Sequence, residues 1–187
     1  MNPYIILVAG IPASGKTTYA RHISTKLSVP LISKDIIKEH LYDALMWDTS
    51  NRDNSKLYGF ASYQVLLHII DSLLKVGVSL IAECNFISSF SDNLQSIIDK
   101  YSCRALTVLF DTDLTVLKKR FNDRDKTNER HPGLVMPTAF GGFTAEEASR
   151  FRDFCIGDKI VVDTTDFTKV DFAKVDTAVV RFTGGQE

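Results

Sequence analysis

At 187 residues and 44% hydrophobic composition, the chain is long enough for one domain with a sizeable core and too short for two comfortable ones. Its 22 Lys+Arg against 23 Asp+Glu leave a formal net charge of -1, which excludes a general electrostatic pull toward nucleic acid or a membrane surface. The three cysteines, Cys84, Cys103 and Cys155, have neither disulfide-scaffold nor zinc-ligand spacing, no basic region precedes the first apolar run, and nowhere do about 18 apolar residues occur together. The expectation is a cytoplasmic protein with reduced thiols, Cys103 and Cys155 lying in or near the core.

The first element is the apolar run Tyr4-Ile-Ile-Leu-Val-Ala9, which has the length and branching of a buried parallel strand. It leads into Gly10-Ile-Pro-Ala-Ser-Gly15-Lys16-Thr17, a match to G-x-x-x-x-G-K-[ST]. Gly10 and Gly15 permit left-handed backbone and close approach of a phosphate. The amides through Ala13, Ser14, Gly15 and Thr18 form an anion nest at a helix start. Lys16 would reach the β- and γ-phosphates, and Thr17 would hold a Mg²⁺ ion bridging them.

Thr17 to Leu27 reads as a helix, with Tyr19, Ala20, Ile23 and Leu27 on one face. A short strand, Val29 to Ser33, then delivers Lys34-Asp35 to the start of a second helix, and this alternation predicts a right-handed parallel sheet. Ligands of such sheets bind beyond the carboxyl ends of the strands, where Asp35 should lie. Three roles are open to Asp35: a base for an acceptor hydroxyl, an anchor for magnesium-bound water, or an N-cap for a helix starting at Ile36.

Asp43 to Asn54 is polar and aperiodic and reads as a loop; Trp47 and Arg52 in it have ordinary packing and solvation roles. A long helix follows, with Leu57, Phe60, Ala61, Leu67, Ile70 and Leu74 as its apolar stripe and Gly77 as terminator. Val78 to Ala82 is the third strand, placing Glu83 and Asn85 near the phosphate loop by topology. Glu83 is a candidate magnesium-linked or acceptor-binding carboxylate, and Asn85 could orient the acceptor.

Ser89 to Tyr101 is a helix and Arg104 to Phe110 a central strand; Asp113 caps the helix Leu114 to Asp123. Arg120 and Arg124, four apart, share a face away from the Leu114, Leu117, Phe121 stripe. The aperiodic stretch from about 124 to 143, containing Arg130, reads as an active-site lid, and Thr144-Ala-Glu-Glu147 is a capping box opening the next helix. Lys159 to Asp163 is the fifth strand; Val170 to Arg181 fits a last helix or an edge strand.

Together these positions describe phosphoryl transfer, with Lys16 and Mg²⁺ on one side of the reacting group, Arg120, Arg124 and Arg130 closing over the other, and Asp35 as candidate base. Gly10 to Ala20, Ser33-Lys34-Asp35, Glu83-Cys84-Asn85, Arg120 and Arg124 resemble the small P-loop kinases of the polynucleotide-kinase-like and zeta-toxin-like group, over about residues 4 to 165. The resemblance implies a five-stranded parallel sheet in the order 2-3-1-4-5 flanked by helices, ATP as donor, Asp35 as general base, and Arg120 and Arg124 as lid arginines. Arg130-His131-Pro132-Gly133 looks like a lid signature of ATP-binding members.

Polynucleotide kinases carry an aspartate where Glu83 stands and an arginine soon after the base, where this chain has only Lys38. The departure disfavours a nucleic-acid 5′ end as acceptor. The expected function is ATP- and Mg²⁺-dependent transfer to a hydroxyl of a small molecule, nucleotide or nucleic-acid end, with Asp35, Lys38, Glu83, Asn85 and Arg130 around the acceptor. A nucleotide-dependent switch without an organic acceptor is the alternative.

Overall fold

The computed structural model of the chain describes residues 2–45, 52–127, 130–135 and 142–184. Strands β1 (Tyr4–Gly10), β2 (Leu31–Ser33), β3 (Leu80–Glu83), β4 (Arg104–Asp111) and β5 (Asp158–Asp163) form one sheet in the order β2-β3-β1-β4-β5. Every neighbouring pair is parallel. Around it lie α1 (Lys16–Leu27), α2 (Lys34–Ala44), α3 (Arg52–Lys75), α4 (Ser91–Lys100), α5 (Leu114–Arg124), α6 (Ala145–Arg152) and α7 (Phe172–Thr183). This is a three-layer P-loop NTPase fold. Because β1 is central, with β3 and β2 on one side and β4 and β5 on the other, its carboxyl end opens at the switch point where such sheets bind ligands.

Two-residue alternation along β1 feeds both layers. Ile5, Leu7 and Ala9 pack with Leu66 and Ile70 of α3 and Leu94 of α4, while Ile6 and Val8 pack with Tyr19 and Ile23 of α1 and Val179 of α7. The strand is therefore apolar at every position, as a strand covered on both faces must be. Gly10, at its end, lies against β4: a Cβ there would sit 2.0 Å from the Phe110 carbonyl oxygen, with φ at 128°. Replacing Gly10 by Ala combines overlap with backbone and a strained φ, so we expect a loss of roughly 3 kcal/mol in denaturant unfolding.

Several local expectations hold. The Asp113 carboxylate accepts from the amides of Thr115 and Val116, and Thr144 and Glu147 form the reciprocal capping box. The segment after residue 170 is helical; Asp171 accepts from the Lys174 amide at its start, and Gly184 closes it in a left-handed conformation.

Others are corrected. Helix α2 begins at Lys34 with Ser33 in the N-cap position, so Asp35 lies inside the first turn and is not the cap. Leu57 and Phe60, expected on the buried stripe of α3, are 60% and 58% exposed. The early turns of α3 bury Tyr58 edge-on against Tyr42 of α2, ring centroids 5.1 Å apart, and only later turns, through Tyr63, Leu66, Ile70 and Leu74, reach the sheet. Residues Asn54–Lys75 of α3 are long and apolar enough to cross a membrane by length and composition, and a third of the apolar 18-residue window within them is buried inside the protein. Cys103 is buried as expected but Cys155 is exposed. Trp47 lies outside the described residues.

Candidate active site

The loop from Gly10 to Lys16 carries its curvature in three residues of positive φ: Gly10 at 128°, Ala13 at 65° and Gly15 at 93°. Gly15 precedes the first residue of α1, and no side chain caps that helix start. The amides there are therefore available to an anion, with the helix dipole behind them. The Ser14 hydroxyl donates to the Ile11 carbonyl at 2.7 Å, bracing the loop from within. From outside, Thr164 at the end of β5 donates to the Ser14 carbonyl at 2.9 Å and shares a 2.6 Å hydroxyl contact with Thr112. These long-range threonine bonds gave no signal in the sequence.

Lys16 is buried, and its ammonium folds over the loop to donate to the Ile11 carbonyl at 2.9 Å. Burial lowers its pKa, against the opposing pull of Glu83 and Asp35. Glu83, also buried, accepts from Thr17 Oγ1 at 3.3 Å and from Ser33 Oγ at 2.6 Å, each on a different carboxylate oxygen. Ser33 thus spends its side chain on Glu83, which explains why it does not cap α2 through its hydroxyl.

A cleft of about 500 Å³ opens over this loop. Gly15, Lys16, Thr17 and Thr18 line its floor, Asp35, Glu83 and Asn85 one side, and Arg120, Arg124 and Arg130 the other. Ala13 also lines it, whereas Gly10 and Ser14 support the loop from behind. Lys38 is set back from the lining; its ammonium donates to Ser55 Oγ at 3.0 Å, and burial together with Lys34 brings its pKa down to about 8.

Asp35 is paired with Lys34 at 3.2 Å. Burial alone would raise its pKa, but Lys34, Lys16 and Arg130 outweigh that and hold the carboxyl below the usual range, so it is ionised. The three arginines differ in what they touch. Arg120 donates to the Thr164 and Thr165 carbonyls at 2.7 and 3.1 Å and lies 4.1 Å over the Phe167 ring. Arg130 pairs with Asp125 at 3.1 Å. Arg124 has two buried nitrogens, Nε and Nη2, with no hydrogen-bond partner among the described residues. Leaving such donors unsatisfied costs on the order of 1–3 kcal/mol each, so the arrangement suits an anion arriving in the cleft.

The turn Pro132–Leu134 belongs to the stretch expected to form a lid, of which residues 128–129 and 136–141 lie outside the described ones. His131 stacks on Tyr42 of α2 at 5.6 Å and 10°, and contacts Asp43 at 3.0 Å. A Cβ on Gly133 would meet the Tyr42 ring at 2.6 Å, so only glycine permits this seat. Sequence reasoning missed Phe167, which lines the cleft beside Gly15. It also left open Asp111, which pairs with Arg152 at 2.9 Å.

The arrangement can bind a triphosphate along the loop and present a carboxylate to a second molecule. The residues expected to hold Mg²⁺ fit a hard cation: Thr17 and Glu83 bring oxygen atoms together, and such an ion takes its remaining ligands from phosphates and water. Among the described residues no group of three His, Cys, Asp or Glu side chains forms a cage of its own.

Among solved structures, a candidate kinase from Chloroflexus aurantiacus J-10-fl matches at TM-score 0.82 and 27% identity, covering 97% of this chain and 99% of that one. A sugar kinase from Janibacter sp. HTCC2649 matches at TM-score 0.61 and 15% identity, covering 97% and 95%. The APS kinase CysC of Mycobacterium tuberculosis matches at 0.61 and 14%, covering 98% and 99%. No protein of curated function matches. The model of the AAA domain family matches residues 5–135, which include the phosphate loop, Asp35, Glu83 and all three cleft arginines. With that match over most of its length, the chain belongs to the AAA domain family, and its fold is the one shared by the P-loop kinases among its structural neighbours.

Proposed function

We propose that the chain is an ATP-dependent, Mg²⁺-requiring kinase that transfers the γ-phosphoryl group to a hydroxyl of an organic acceptor. The observation carrying this reading is Arg124, whose two buried nitrogens without a partner among the described residues belong to a residue lining the cleft above the phosphate loop. The kinase names borne by its structural neighbours support the same class.

In this reading the loop amides and Lys16 hold the β- and γ-phosphates, and Arg124 meets the γ-oxygens from the opposite side. Thr17, and Glu83 directly or through water, would hold Mg²⁺, which would supply charge neutralisation at the phosphates. Asp35 accepts the acceptor's proton as its oxygen bonds to the γ-phosphorus; the bond to the β,γ-bridging oxygen breaks, and its electron pair leaves with ADP. Arg120, which also lines the cleft, is held in this conformation by the Thr164 carbonyl and the Phe167 ring. Arg130 and the 132–134 turn cover the acceptor side, excluding water as a competing acceptor. The cytoplasm, which supplies ATP and keeps the three free cysteines reduced, is the compartment this implies.

Arg124→Ala tests the reading. We expect kcat for transfer to fall roughly 100- to 1000-fold, as for loss of a charge-stabilising donor, with ATP affinity changed far less. Steady-state kinetics with an acceptor found by screening, followed through ADP release, give both numbers. ATP consumption that no acceptor accelerates, and that Arg124→Ala leaves unchanged, would favour a nucleotide switch instead.

A further inference from the structure

A second cavity, of about 290 Å³, adjoins the phosphate cleft. The two share Asn85, whose amide has no hydrogen-bond partner among the described residues. They also meet at the Lys34–Asp35 pair, since Lys34 lines the second cavity and Asp35 the first. An acceptor body in the second cavity would present its hydroxyl to Asp35 past Asn85.

The walls decide what kind of body fits. Phe60, Tyr63 and Phe86 contribute rings, and Phe86 is held rigid by stacking on Phe154 at 4.9 Å and 12°. Among charged groups, Lys34 is committed to Asp35 and Lys56 is exposed. A polyol would bury several hydroxyls against ring carbon, each stranded one losing roughly tenfold in affinity. A ring loses nothing there and gains edge and face contacts. Ligand pockets for drug-sized molecules start near 300 Å³, so this one suits a smaller body.

Resting on the kinase reading above, we propose that the second cavity holds the body of the acceptor, and that the acceptor is a compact alcohol on an aromatic or alicyclic ring, not a polyol. Its hydroxyl oxygen bonds to the γ-phosphorus, the proton passes to Asp35, and the products are a phosphate monoester and ADP.

The test is a panel of size-matched alcohols given to the full chain with ATP and Mg²⁺: 2-phenylethanol, 4-(2-hydroxyethyl)phenol and cyclohexylmethanol against glycerol, ribose and gluconate. ADP release and the mass of the phosphorylated product are measured. Ring alcohols are expected to exceed polyols in kcat/KM by roughly tenfold or more. Phe60→Ala should then lower that kcat/KM by roughly tenfold while the ATP-induced thermal shift is unchanged. Phe60 is more than half exposed, so its truncation leaves the core intact. Polyols phosphorylated as well as ring alcohols, or an unaffected Phe60→Ala variant, overturn this inference and leave the kinase reading standing. If neither set is phosphorylated although ATP still raises the melting temperature, both fall.

Discussion

Lys16→Ala is expected to remove almost all stabilisation of the protein by ATP. At a ligand concentration 100 times Kd, binding to the native state contributes about 2.7 kcal/mol, worth roughly 5–10 °C in Tm for a chain of this size. Lys16 is the buried cation at the loop, 2.9 Å from the Ile11 carbonyl, and releasing that carbonyl for a phosphate exchanges a neutral acceptor for an anionic one. A roughly 100-fold weaker site at the same ATP concentration keeps only about 0.4 kcal/mol, a shift near 1 °C. Differential scanning calorimetry with and without Mg-ATP reads this directly. A variant that retains the full shift would mean the nucleotide binds elsewhere.

Asp35→Asn should separate chemistry from binding. The substitution keeps size and removes the charge that accepts the proton, so transfer to the acceptor should drop roughly 100- to 10,000-fold. The ATP-induced shift in Tm should persist, because Asp35 is an anion and contributes no attraction to phosphate. Asp35 also faces Lys34 at 3.2 Å and feels Lys16 and Arg130, so the substitution frees those cations. Nucleotide affinity therefore rises slightly if it changes at all. An unchanged transfer rate would leave Asp35 with a structural part only, and strongly weakened ATP binding would assign it to the magnesium-linked role.

The phosphate loop was legible because its constraints are local. Positive φ at Gly10 and Gly15, a lysine with a threonine after it, and a strand before it are all fixed within about a dozen residues. The caps at Asp113 and Thr144 were legible for the same reason. The sheet order came through resemblance, since nothing local in the sequence states which strands neighbour which.

What was misread or could not be read depends on partners distant in sequence. Helical periodicity gave α3 an apolar face at Leu57 and Phe60, but could not foresee that Tyr42 of α2 would draw Tyr58 inward and turn those two outward. Arg120 and Arg124 share a face in the sequence, yet the Thr164 and Thr165 carbonyls engage only Arg120. Lys38 was grouped with the acceptor residues because it stands where the resembling kinases carry an arginine; its ammonium donates to Ser55, seventeen residues on, a bond no local pattern announces. Asp35 does not cap α2 because the helix begins at Lys34, two residues before Ile36; Ser33 takes the N-cap position while its hydroxyl goes to Glu83.

The kinase account stands on an anion uniting the two walls of the cleft, and a crystal structure with a non-hydrolysable ATP analogue and Mg²⁺ tests it most directly. The account predicts the triphosphate along residues 10–17, Thr17 Oγ1 on the metal, and Arg124 Nε and Nη2 within hydrogen-bond distance of γ-phosphate oxygens. A triphosphate bound elsewhere, or Arg124 still without an anionic partner once the nucleotide is seated, would contradict it.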